Sequence, residues 1–175
     1  MPMSFDKHCI GCPYHPANGG AVQPNGRPLA PLIMEANSER TLLIFQAPGI
    51  EEWAARKPIC SSNTWSAGAK IRNALTRLGK SRNDFSITNS TQCYPGKANS
   101  NRDKTPLTSA RKSCSYRLKQ DIEAYDFKRI IVFGSAAKKS VTELGFASDP
   151  RFIFLRHPSG GLKSLVLDDA LGIIE

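Results

Sequence analysis

Three side chains able to grip a heterocycle or handle a proton occupy matching places in this 175-residue sequence: Gln46, Asn89 and His157. Each follows a short apolar run, in "LLIFQ", "FSITN" and "FIFLRH". An amide offers one donor edge and one acceptor edge in a fixed plane. An imidazole takes up or gives up a proton near neutral pH. A turn after a strand accounts for Pro48 and Gly49 on backbone grounds, but it does not call for Gln46. Taken singly, Gln46 and Asn89 are also compatible with solvated turn residues, and His157 with a structural histidine before Pro158. Their common position is what suggests a site.

The cysteines form a second constellation. Cys9 and Cys12 make a C-x-x-C pair in "HCIGCPYHP", Cys93 lies in "TQCYPGK", Cys114 in "RKSCSYRL", and Cys60 stands apart in "KPICSSN". An odd number of cysteines behind an N-terminus without an apolar leader argues against disulfides. Four thiolates suit a [4Fe–4S] cluster. A Zn site is the alternative, with Cys9-x-x-Cys12-x-x-His15 as a contributor. Cys60 reads as a small packed residue.

The elements that must position these groups alternate between strand and helix. Residues 40–46, 84–90, 129–134 and 151–157 read as strands. Residues 66–79 carry Ile71, Leu75 and Leu78 on one helical face, ended by Gly79. Thr105 and Pro106 read as the N-cap and first position of a helix whose inner face holds Leu107, Ala110, Cys114, Leu118 and Ile122. Further helices are expected from Lys138 to Leu144 and over 162–171. Residues 1–39, rich in Pro, Gly and Asn, read as an irregular arm with a short helix near 29–35. The alternation predicts one α/β domain over 1–175, a three-layer α/β/α sandwich around a mainly parallel four-stranded sheet. In such sheets ligands bind at the carboxyl ends of the strands, where Gln46, Asn89 and His157 fall.

The net charge is +9, from 24 basic and 15 acidic residues. Lys97, Arg102, Lys104, Arg111, Lys112, Arg117 and Lys119 crowd one stretch in which Asp103 is the single acid. That run suggests a phosphate or nucleic-acid surface; a solvated helix face is its plainer reading. No apolar run approaches the length of a membrane span. A cytoplasmic monomer that meets DNA and no membrane is expected.

Read in order, these motifs resemble the uracil-DNA glycosylase superfamily, most closely its iron–sulfur branch, often called family 4. That branch has Gly-Glu-Ala-Pro-Gly, then Glu-Asp, then Gly-x-Pro-Phe. The same register here reads Phe45-Gln46-Ala47-Pro48-Gly49, Glu52-Trp53 and Arg56-Lys57-Pro58-Ile59. Ala67-Gly68 matches the family's helix-opening Ala-Gly. Thr88-Asn89 through Cys93 matches Thr-Asn-x-x-x-Cys, Cys114 the later helical cysteine, Gly134 to Ala137 the Gly-x-x-Ala, and His157-Pro158-Ser159 the His-Pro-Ser. The N-terminal pair matches Cys9 and Cys12.

The resemblance implies hydrolysis of the N-glycosidic bond of uracil in DNA, as the first step of base-excision repair. Asn89 would read the uracil edge, His157 would hydrogen-bond O2, and Gln46 with the Ala47 backbone would place water or touch the base. Ala47, Pro48, Gly49, Ile59, Trp65, Ser159 and Leu162 complete the implied substrate-contacting set. Cys9, Cys12, Cys93 and Cys114 would hold the [4Fe–4S] cluster. Two departures stand out. The motif carboxylate is Gln46, and the stacking Phe is Ile59. Trp65 either takes over the stacking or packs in the core; Leu162 either fills the gap left by the extruded base or begins a helix. Two rivals follow: a non-catalytic DNA-binding member of the fold, and a glycosylase for hypoxanthine, xanthine or thymine opposite guanine.

Overall fold

The computed structural model describes residues 7–20, 30–98 and 102–173. Its centre is a sheet of β1 (Thr41–Phe45), β2 (Ser86–Asn89), β3 (Arg129–Phe133) and β4 (Phe152–Leu155) in the order β2-β1-β3-β4. Every pairing is parallel, with Phe45 beside Asn89 and Phe133 beside Leu155. The helices between them are α1 (Ile50–Ala55), α2 (Ala67–Arg77), α3 (Thr108–Glu123), α4 (Ser135–Glu143) and α5 (Ser164–Gly172).

Strand side chains alternate between faces, and the two faces build two cores. Leu43, Phe45, Ile87, Ile131 and Phe133 pack with Ile71, Ala74 and Leu75 of α2 and Leu167, Ala170 and Leu171 of α5. Leu42, Ile44, Ile130 and Val132 pack with Leu118 and Ile122 of α3 and Ala137 and Val141 of α4. Both faces are covered, which is why these strands read as unbroken apolar runs. The expected α/β/α sandwich is therefore present.

Local chemistry fixes the element ends. Ser66 Oγ accepts from the Ala69 N–H at 3.0 Å and caps α2. Gly79, at φ 62°, lets the chain leave it. Gly134 takes φ 90° between β3 and α4, where a side chain would stand 3.3 Å from His157 Cβ. This glycine thus serves both the backbone turn and the approach of His157.

Three expectations are corrected. The described part of the segment expected to hold a helix, residues 30–35, is extended; Leu29 lies outside the described residues. Leu32 N–H donates to Gln92 O at 2.6 Å, and Glu35 exchanges two 2.9 Å hydrogen bonds with Ile87 in an antiparallel bridge. The exposed edge of β2 offers unpaired backbone groups, and the arm satisfies them. The helix expected to start at Thr105-Pro106 instead starts at Thr108, with Leu107 as an N-cap in extended conformation whose N–H donates to Tyr14 Oη at 2.9 Å. The six-residue α1 has no counterpart in the sequence reading. Among the described residues no helix is long and apolar enough to cross a membrane.

Candidate functional site

The carboxyl ends of β1 and β2 are stitched past their last paired residues. Phe45 O accepts from the Ser90 N–H at 2.7 Å, and Gln46 O accepts from the Thr91 N–H and from Ser90 Oγ, both at 3.0 Å. The chain then turns through Ala47, Pro48 and Gly49 into α1. Glu52 closes this turn: its carboxylate accepts from the Gly49 N–H at 2.8 Å. Burial pushes the Glu52 carboxyl pKa up, and nearby Asp103 pushes the same way.

A crevice of about 920 Å³ opens above this turn. Gln46, Ala47, Pro48, Gly49, Ile59, Trp65, His157 and Ser159 all line it, so eight of the ten expected organic-site residues meet in one place. Asn89 and Leu162 are not on its surface. Leu162 is half-buried against the α2–α5 core. Asn89 pairs in register with Phe45, which does line the crevice, and only 1% of it is exposed. Neither its amide nitrogen nor its amide oxygen has a hydrogen-bond partner.

His157 follows β4. Its Nδ1 lies 2.7 Å from Ser159 Oγ, and its ring stands edge-on to Phe45 with centroids 6.4 Å apart. Burial first, and the Lys70 ammonium second, pull its pKa down to about 4. The ring is neutral at physiological pH. When Ser159 donates to Nδ1, the proton of the neutral ring sits on Nε2. Lys70 is itself anchored to Pro158 O at 2.8 Å.

The loop from α1 to α2 is strained. Among the described residues Arg56 and Ile59 are the non-glycine residues with left-handed backbones, at φ 55° and 52°. Such a conformation costs a β-branched residue of the order of 1–3 kcal/mol. The surroundings hold it there. Arg82 donates to Ile59 O at 3.1 Å, and Gly68 leaves room for that carbonyl, since a Cβ would come within 3.1 Å of it. Ile59 is buried, whereas Trp65 is 81% exposed at the crevice rim. Of the two readings of Trp65, core packing is excluded.

The basic stretch divides. Lys97, Arg102 and Lys104 line the crevice. Arg111 is buried and pairs with Glu143 at 3.1 Å, so it leaves the surface set expected to face a polyanion. Lys119 pairs with Glu123 at 3.8 Å.

Cys9, Cys12, Cys93 and Cys114 are all buried, and Cys12 and Cys93 pack with Tyr14, Leu32 and Trp53. Burial pushes the Cys114 thiol up to about 12 and Cys93 well above its ordinary range, and the neighbouring cysteines raise both. The four thiols are thus gathered, and as thiolates they would need a cationic partner. The donor set and its burial fit an iron–sulfur cluster. Among the described residues no group of three or more His, Cys, Asp or Glu side chains is placed to hold a metal ion. His15 Nδ1 accepts from the Ala17 N–H at 3.2 Å. Cys60 is half-buried and outside the group.

Residues 34–166 match the family model described as the uracil DNA glycosylase superfamily. The chain belongs to that superfamily. It is also similar to a protein of Pyrobaculum aerophilum described as a Type-4 uracil-DNA glycosylase, with 30% identity over 138 residues. That match covers 79% of this chain and 61% of the relative's length. Membership of the superfamily agrees with the expectation drawn from the strand-end motifs.

Sequence reasoning missed three crevice carboxylates, Glu51, Glu52 and Asp103. Glu52 appeared there only as part of a motif register, and Asp103 only as an exception within a basic run. Nothing in the local sequence shows that Glu52 and Asp103 would both border Gly49, because Asp103 comes from a separate loop.

Proposed function

We propose that this chain is a uracil-DNA glycosylase: it extrudes uracil from DNA and hydrolyses its N-glycosidic bond, initiating base-excision repair. The carrying observation is Asn89, a buried amide with two unpartnered polar atoms. Leaving a buried donor or acceptor unpaired costs about 1–3 kcal/mol each, so such a group calls for an explanation. A uracil edge supplies one, with O4 to accept from Nδ2 and N3–H to donate to Oδ1.

The other residues fit this reading. As the bond from C1′ to N1 breaks, negative charge gathers on uracil O2. Neutral His157, with Nε2–H directed to that oxygen, stabilises it; a preorganised donor of this kind is worth about 3–4 kcal/mol. Gln46 and the Ala47 backbone contact the base or the water. Lys97, Arg102 and Lys104 would meet phosphates beside the extruded nucleotide. Trp65, exposed at the rim, offers a face on which a base can stack.

Cys9, Cys12, Cys93 and Cys114 would hold a [4Fe–4S] cluster, whose contribution when bound is to clamp the arm to the loop after β2 and to α3.

The deciding experiment incubates the protein with single- and double-stranded oligonucleotides carrying uracil, hypoxanthine, xanthine or thymine opposite guanine, followed by alkali. Strand breaks at uracil are expected. Breaks only at another base would redirect the specificity, and no break at any base would favour the non-catalytic member. Protein purified without oxygen should be brown, with broad absorbance at roughly 400 nm; colourless protein with Zn would refute the cluster.

A further inference from the structure

The position where relatives carry a motif carboxylate is Gln46, and an amide cannot take a proton from water. Three carboxylates nevertheless line the same crevice, and Glu51 is engaged by the Ser62 N–H at 3.0 Å. Glu52 is 6% exposed and is committed to the Gly49 N–H, so it holds the turn. Asp103 reaches Gly49 from the loop between β2 and α3. Its Oδ2 lies 3.0 Å from the point where a Gly49 Cβ would stand, so the missing side chain at Gly49 is what admits it.

Asp103 is also aimed. Lys97 Nζ meets Oδ1 at 2.9 Å, and Tyr94 Oη approaches the same oxygen at 3.4 Å. Tyr94 is buried and its pKa is pushed up to about 12, so it remains a donor. Lys97 and Asp103 form an antiparallel bridge, flanked by Lys104 N–H to Gly96 O at 2.8 Å and Ala98 N–H to Arg102 O at 3.0 Å. One carboxylate oxygen is therefore held from behind while the other faces Gly49. Both Asp103 and His157 line the crevice.

We infer that Asp103, delivered by this loop, is the carboxylate that activates the attacking water in place of the acid absent at position 46. The inference rests on the glycosylase reading. In the step, water oxygen bonds to C1′ and gives its proton to Asp103. The bond from C1′ to N1 breaks, and its electron pair leaves on uracil, where His157 meets O2. Asp103 then releases the proton to solvent. The chemistry of the family is thereby kept with its charge moved from the strand end to a facing loop.

The test compares single-turnover excision of uracil with binding to the same oligonucleotide carrying non-cleavable 2′-fluorodeoxyuridine. Asp103→Asn is expected to lower the excision rate by at least roughly 100-fold, the scale of a lost general base. Binding should stay within about threefold of wild type, separating chemistry from affinity. Adding Gln46→Glu to Asp103→Asn should restore at least about tenfold. Gly49→Ala, acceptable to the backbone at φ −77°, should slow wild type but add nothing to Asp103→Asn. An Asp103→Asn rate within about threefold of wild type overturns the inference, as does a loss shared equally by binding. A wild type inert on every base overturns the glycosylase reading and this inference with it.

Discussion

The two ends of the sheet treat polar groups in opposite ways. At the amino end, buried polar groups find partners within the chain. Arg129 donates to Ala170 O at 3.1 Å and Ile173 O at 3.0 Å. Ser86 Oγ donates to Ser38 O at 2.5 Å and accepts from the Ser38 N–H at 3.1 Å. Arg151 grips Asp149 at 2.7 Å. At the carboxyl end Asn89, Thr91 Oγ1 and Gln92 Oε1 are buried without partners, and Ile59 is held in a left-handed conformation. The amino end closes the fold, whereas the carboxyl end carries unpaired groups and strain. That is the distribution expected when one end is arranged around something the chain itself does not supply.

Asn89 breaks this comparison most sharply. Asn89→Asp replaces a donor with an acceptor against uracil O4. We expect uracil excision to fall by roughly 10⁴, since sites built on such pairing discriminate on that scale, and slow cytosine excision to appear. Asn89→Ala should lose uracil excision without gaining cytosine, and denaturant unfolding should show no loss of stability, because it removes two unpaired polar atoms. Folded variants with near-wild-type uracil rates would show that Asn89 does not read the base.

Arg129→Ala is the mirror experiment. It orphans two carbonyls beside α5 and should cost about 1–3 kcal/mol in urea unfolding. Excision per folded molecule should stay within about twofold. A fall in rate without a fall in stability would contradict the division between the two ends.

At the salt-dependent rim, Lys104→Ala should weaken single-stranded DNA binding and reduce the slope of log affinity against log salt by about 0.7. An unchanged slope would leave Lys104 a solvated residue.

A further effect concerns pH. His157 is neutral in the fold down to about 4, while an unfolded histidine protonates near 6.5. Below 6.5 the unfolded state therefore binds a proton that the folded state refuses. Stability should fall as pH drops from about 6.5 to about 4, and His157 should contribute nothing above that window. His157→Asn should lack this slope in thermal melts, and wild-type excision should show no inflection near 6.5. An inflection there would mean that the ring titrates as in water.

Much of the fold was legible because its signals are local. Unbroken apolar runs such as Leu42–Phe45 and Arg129–Phe133 require cover on both faces, and the inner positions Ile71 and Leu75 or Leu118 and Ile122 supply it at helical spacing. The same runs led to Gln46 and His157, since a residue ending a parallel strand reaches the ligand-binding edge whatever its partners are. Element ends were less legible where a distant group decides them. Thr105-Pro106 has good local start chemistry, yet the helix starts at Thr108, and the Leu107 N–H before it donates to Tyr14, 93 positions away in sequence. The arm around Glu35 carries no strand pattern, and it is extended because the β2 edge needs pairing.

By itself the sequence determined the layers, the strand ends and the types of group gathered there, because periodicity and strand polarity act over a few residues. Only the tertiary structure decided which carboxylate faces Gly49, that Arg111 is an interior ion pair and not part of a surface, and that Asn89 is sealed without a partner. Those outcomes depend on contacts between segments tens of residues apart. A chain's local pattern does not encode such distances; the packing of the two cores onto the sheet fixes them.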